Sequence, residues 1–285
     1  MRQSTFVIRL GAVLIIALVA LSLLTVSAFA DGHEEYPTIA AAEDGTITLP
    51  DEWVSGITTL NFVNEGEAPF SPLIGRFLEG MSMEDFMAAM GAQDIAAMLA
   101  TASFLGSPSL ESGESTLVTF DLAAGDYLFL NFASAGPPTI LPFTVAESEG
   151  DAVEAPEADV VVELADFAFV LPAELTTEDA LWQISNTGDQ THEIVVYAVD
   201  EGTTTDDVTT ALTEAMAAAA PGTQPEMPYE FAYSFVGISP GETAWVMPEL
   251  EAGSYVAVCF IPDVTSEEMT SHLEHGMISV FTVSE

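Results

Sequence analysis

The chain carries one cysteine, Cys259, and four histidines, His33, His192, His272 and His275. A single thiol forbids an intrachain disulfide, and so few imidazoles exclude any centre that needs many of them. Cys259 closes the run Tyr255-Val-Ala-Val-Cys259, where strand alternation puts the thiol on the same face as Tyr255 and Ala257. His192 opens an apolar run after a turn marked by Asn186 and Gly188, and His272 and Met277 follow Cys259. Two imidazoles, one thiolate and one thioether are the donors of a trigonal copper site with a weak axial sulfur. Soft sulfur stabilises Cu(I) and imidazole suits Cu(II), so a rigid scaffold of intermediate geometry passes one electron with little rearrangement.

Other constellations carry less. Cleavage after Ala30 would expose Asp31-Gly32-His33, an amine, two amides and an imidazole in the spacing that chelates Cu(II) in a square plane. Met81, Met83, Met87, Met90 and Met98 form a thioether cluster, but Met87, Met90 and Met98 fall at helical spacing and read as a packed face. Asp206-Asp207 and Glu267-Glu268 read as solvated charges at helix starts. No Gly-x-Ser-x-Gly elbow and no His-x-His pair occur, so neither a hydrolase nor a multi-copper catalyst has support, and the chain reads as no enzyme.

The elements that must position these donors follow from pattern. With 49% hydrophobic residues the chain can build a core, despite a net charge of -42 from 45 acidic residues against three arginines and no lysine. Such a surface repels phosphate backbones and excludes nucleic acid as a partner. A saline habitat or the steering of a cationic partner would each explain the acidity. Residues 1–30 read as an export signal: Arg2 and Arg9, an apolar run, then Ala28-Phe29-Ala30. An uncleaved anchor is the competing reading of that segment, and the only case in which a membrane enters.

The remainder is one unit written twice. Asn64 and Gly66 recur 122 residues on as Asn186 and Gly188, and Gly125 and Tyr127 recur 128 residues on as Gly253 and Tyr255. These matches divide the chain into domains at 37–145 and 159–285, with an acidic linker at 146–158. Short Val-, Ile-, Phe-, Tyr- and Thr-rich runs, such as 59–63, 116–120, 192–198 and 255–260, predict antiparallel sandwiches. Ser82 with Asp85, and Thr204 with Asp207, predict the N-terminus of one inserted helix in each half. The expected class is all-β: two tandem Greek-key sandwiches.

On these residues the C-terminal half resembles the cupredoxins, the blue (type 1) copper domains. The shared pattern is Gly253-x-Tyr255-x-x-x-Cys259, then His272-x-x-x-x-Met277 before a last strand, with His192 at an upstream strand start. The resemblance implies His192, Cys259 and His272 as equatorial copper ligands and Met277 as the axial one. It also implies one copper ion as cofactor and single-electron transport through His272 on an exposed loop. A redox protein is the implied partner, cationic if the charge serves steering, in an extracytoplasmic setting. Twelve residues separate Cys259 from His272, more than the family usually has, and residues 263–271 could form a short helix. His275 is an alternative to His272. Glu193 stands where the family commonly has Asn or Ser after the first histidine. In the N-terminal half Phe70 replaces His192 and Asn131 replaces Cys259, in a loop 134–139 without histidine, so no type 1 site is expected there. A copper-free cell-envelope interaction module, or a copper capture and delivery protein, are the alternative functions.

Overall fold

The computed structural model describes residues 36–132, 138–175, 180–218 and 225–284. The expected export segment 1–30, the Asp31-Gly32-His33 chelate and residues 134–137 of the N-terminal loop lie outside them. Among the described residues no helix is long and apolar enough to cross a membrane.

The first half runs β1 (Thr38–Ala41), β2 (Ile47–Thr48), β3 (Gly56–Asn64), β4 (Pro72–Phe77), α1 (Met83–Ala92), α2 (Ile95–Leu99), β5 (Ala102–Pro108), β6 (Ser115–Leu122), β7 (Gly125–Asn131) and β8 (Thr139–Val145). The second runs β9 (Val160–Ala165), β10 (Ala168–Val170), β11 (Glu174–Leu175), β12 (Trp182–Asn186), β13 (His192–Val199) and α3 (Thr205–Ala218). It ends with β14 (Glu230–Ile238), β15 (Thr243–Val246), β16 (Gly253–Val258) and β17 (Ile278–Val283). The molecule is all-β in class, with few helices.

Both sheets cross from one half to the other. One sheet is ordered β2-β1-β3-β6-β15-β12-β9-β10 and the other β8-β7-β4-β5-β14-β13-β16-β17-β11. Once repeat partners are exchanged, the first order reads alike from either end, and so does the second apart from β11, which the C-terminal half adds at its edge; the halves meet edge to edge about a pseudo-two-fold axis. In the first sheet the axis passes through the pair Val118↔Val246, which are repeat partners at the 128-residue offset. In the second, the pairs Ser107↔Val236 and Leu105↔Ile238 flank Gly106 and Gly237. Both glycines have positive φ, 80° and 71°. A side chain on Gly106 would also overlap the Phe235 ring, so the junction needs glycine there twice over.

Alternation sorts the side chains into layers. Leu60, Phe62, Val118, Phe120, Trp182, Ile184, Ala244 and Val246 share one buried cluster between the sheets with Tyr255, Ala257 and Cys259. On the outer face of the second sheet, Val208 and Leu212 of α3 cover Val195, Tyr197, Val256 and Val258. Phe86 of α1 covers Phe104, Leu128 and Leu130 in the same way, with Met83, Met90 and Met98 packed beside it. Of the three methionines expected to form a packed face, Met90 and Met98 do so, joined by Met83, whereas Met87 is exposed, as is Met81.

The repeat holds at atomic detail. Asn64 Nδ2 donates to the Ala68 and Leu110 carbonyls, and Asn186 Nδ2 to those of Gln190 and Ile238. The Tyr127 hydroxyl donates to Ala123 O and that of Tyr255 to Glu251 O, both at 2.8 Å. Ser82 and Thr204 cap their helices, accepting from the N–H groups of Asp85 and Asp207. One expectation is corrected: the first insert is two helices, because Gln93 turns left-handed at φ 56° and Asp94 then caps a second start by accepting from Ala97 N–H.

Candidate metal centre

Two strand ends and one loop deliver the candidate donors. Cys259 follows directly on β16, His192 heads β13 opposite Ile238 of β14, and His272 leaves the loop that leads into β17. All three side chains are buried, and their ligand atoms lie within 4.8 Å of one another. His192 Nδ1 stands 3.0 Å from His272 Nδ1, and Cys259 Sγ 3.4 Å from the same His272 nitrogen. Metal bonds of about 2.0 Å to nitrogen and 2.3 Å to sulfur, set in a trigonal plane, need edges of roughly 3.5 Å. The triangle has that scale. Met277 is fully buried in the same cluster, and its backbone accepts from Cys259 N–H and donates to His272 O.

The long loop does not open the triangle because it is pinched at its base. Pro262 bridges Ser271, Asp263 N–H donates to Thr270 O, and His272 N–H donates to Ile261 O. The residues in between form turns rather than a helix, with Asp263 Oδ1 accepting from the Thr265 N–H and hydroxyl. His275 is drawn away from the triangle: its Nε2 lies 2.8 Å from Thr270 Oγ1 and 3.4 Å from Asp263 Oδ2. It is His272 whose ring reaches the thiol.

His272 is not at the surface, in contrast to the exposed edge expected of it. Its exposure is 0%, and Phe167 stands edge-on to its ring with centroids 5.1 Å apart. Phe167 also lies against His275 at 4.5 Å. Phe167 sits at the tip of the β9–β10 hairpin with φ 61°, a conformation that glycine adopts more readily. His272 Nε2 has no hydrogen-bond partner among the described residues.

The electrostatics keep the imidazoles neutral. Burial, and then the adjacent His192, bring His272 down to about 4. Burial also lowers His192, against the opposing pull of Asp166. Burial pushes the Cys259 thiol well up, with Glu193 adding to it, so without metal the sulfur keeps its proton. Glu193 itself is raised by burial to about 7, and its Oε1 accepts from Phe260 N–H at 3.0 Å. That carboxyl therefore holds the backbone beside Cys259 while giving up part of its charge. The donor set fits a copper ion: two neutral imidazoles and a thiol that yields to metal, with the buried Met277 tied to Cys259 and His272 through its backbone.

Two participating residues, Asp166 and Phe167, stand outside the motif, and Gly188, read there only as a turn residue, takes part as well. His192 Nε2 lies 3.0 Å from Asp166 Oδ1, and Gly188 leaves the space for that contact. In the N-terminal half the site position is plugged, as the substitutions imply. Phe70 is buried against Phe129, Asn131 is buried with an unpartnered Oδ1, and the one potential metal cluster among the described residues is the C-terminal triangle.

Strand order and donor set define two β-sandwiches joined edge to edge, with one His-Cys-His cluster among the described residues that fits a copper ion. No family model matches the chain, and no curated protein does. Among solved structures it is similar to dithionite-reduced auracyanin from Roseiflexus castenholzii, at 22% identity over 44% of this chain and 95% of that one, with a TM-score of 0.29. Auracyanin A, a "blue" copper protein from Chloroflexus aurantiacus, matches at 14% identity over 44% and 96% of the two chains, TM-score 0.29. A blue copper oxidase from Nitrosomonas europaea matches at 12% identity over 87% and 84%, TM-score 0.23. These overlaps are loose, and the class rests on the strand order and the donors themselves.

Proposed function

We propose that this protein is an exported, non-enzymatic carrier of single electrons with one type 1 copper centre. The observation that carries this is the buried triangle of His192 Nδ1, His272 Nδ1 and Cys259 Sγ. Copper bound there supplies a one-electron Cu(II)/Cu(I) couple. The chain's part would be to hold the ion through His192, Cys259 and His272, with the Met277 thioether as a fourth, weaker donor. Burial excludes water, and the strand ends that carry His192 and Cys259, with the pinched loop that carries His272, resist the rearrangement that a change of oxidation state would otherwise demand. The thiol releases its proton on metal binding. A redox partner with a cationic face would dock over Phe167 and His275, since His272 itself is covered. Export to an extracytoplasmic compartment is inferred from the N-terminal segment. Copper capture through the methionine cluster is disfavoured, because Met83, Met90 and Met98 pack against Phe86 and its neighbours.

The test is Cu(II) titration of the purified protein, followed by visible absorption and EPR, with Cys259→Ser as control. An intense thiolate-to-copper band with narrow hyperfine splitting, lost in the variant, is the expected outcome. A weak spectrum unchanged by Cys259→Ser would overturn it.

A further inference from the structure

Asp166 lies outside the donor triangle, yet several groups converge on its carboxylate. His192 Nε2 is 3.0 Å from Oδ1, and the N–H groups of Asp189 and Gln190 donate to it at 3.0 Å and 3.2 Å. A carboxylate offers only acceptor oxygens, and each of these three neighbours has an N–H to give it. An ionised acceptor at Nε2 makes His192 donate there, which leaves the Nδ1 lone pair pointing into the triangle. Gly188 is part of the same arrangement. A side chain there would overlap Asp166 Oδ1 and stand 2.9 Å from His192 Nε2.

The other half supplies an internal control. Asp44 and Gly45 are the repeat counterparts of Asp166 and Phe167 at the 122-residue offset, as Phe70 is of His192. There the ligand histidine is gone, and Asp44 Oδ1 merely accepts from Thr46 N–H in its own turn. Gly45 has φ 79°, so the turn is left-handed at this position in both halves. Only in the half with the thiol does the turn aim its carboxylate inward and carry an aromatic ring at the strained position.

We propose that Asp166 is a positioning residue for the metal centre: its carboxylate fixes His192 as the Nε2–H tautomer and its charge favours Cu(II) over Cu(I). The inference rests on the copper reading above, and goes beyond it in naming what sets the affinity and potential. Partners of metal-bound histidines of this kind are worth about 10–100-fold in metal affinity.

The experiment compares the wild type with Asp166→Asn and Asp166→Ala. Asparagine keeps an acceptor without charge; alanine removes both. In the copper-loaded protein Asp166→Asn is expected to raise the reduction potential, by roughly tenfold in the Cu(I)/Cu(II) preference, or about 59 mV for one electron. Nitrogen-15 NMR of the metal-free protein is expected to show His192 protonated at Nε2 in the wild type and in Asp166→Asn. Asp166→Ala should mix the tautomers and lose about 10–100-fold in Cu(II) affinity. An unchanged potential in Asp166→Asn overturns the role of the charge, and an unchanged tautomer in Asp166→Ala overturns the positioning. If the wild type shows no thiolate band, the copper reading fails, while the NMR arm still decides whether Asp166 sets the tautomer.

Discussion

Cys259 is the residue on which the chemistry turns, and its environment fixes how it meets a metal. Its thiol is raised by burial and by Glu193, while His272 is lowered to about 4 by burial and His192. Between pH 5 and 8 the thiol therefore holds a proton and the imidazole does not. Binding as thiolate releases one proton, so Cu(II) affinity should rise with pH by about tenfold per unit over that range. A proton-release titration and affinities measured at several pH values check this; a flat profile would mean that the sulfur is not a ligand. The three residues that converge were legible because Cys259 is unique, His192 opens a strand and His272 follows the thiol in the chain. Asp166 was not, because one carboxylate among 45 acidic residues has no distinguishing spacing. The faint signal was a phenylalanine, Phe167, where the repeat has glycine, Gly45.

At the scale of elements, the strands followed from alternation: Tyr255, Ala257 and Cys259 face one cluster, and Val256 and Val258 the other. The second helix of the first insert was hidden, since Gln93 carries no mark of its left-handed turn. The choice between His272 and His275 was likewise hidden, because it depends on the Pro262–Ser271 pinch rather than on spacing. That pinch predicts that the loop beyond it is dispensable. Replacing residues 264–269 by Asn-Gly, a two-residue hairpin turn, should leave the copper spectrum intact. Loss of the thiolate band in a folded variant would show that the excursion itself shapes the triangle.

For the whole molecule, the repeat announced two halves but not their joint. Edge strands β5, β6, β14 and β15 have the same residue types as strands inside a sheet, so nothing in them declares a partner. Residues 159–285 expressed alone would expose the edges of β14 and β15, with Phe235, Ile238 and Val246 along them. Unpaired edges of that kind seek another strand. Sedimentation should therefore find this fragment dimeric or aggregated; a folded monomer with the full copper spectrum would show that the joint is not needed. The pseudo-two-fold junction has a further consequence when the protein is diluted. An association between separate subunits weakens as they are diluted, but here the two faces are joined by a connector of about a dozen residues. Their encounter is unimolecular, set by an effective concentration that dilution does not touch. The paired sandwich stays assembled down to one molecule.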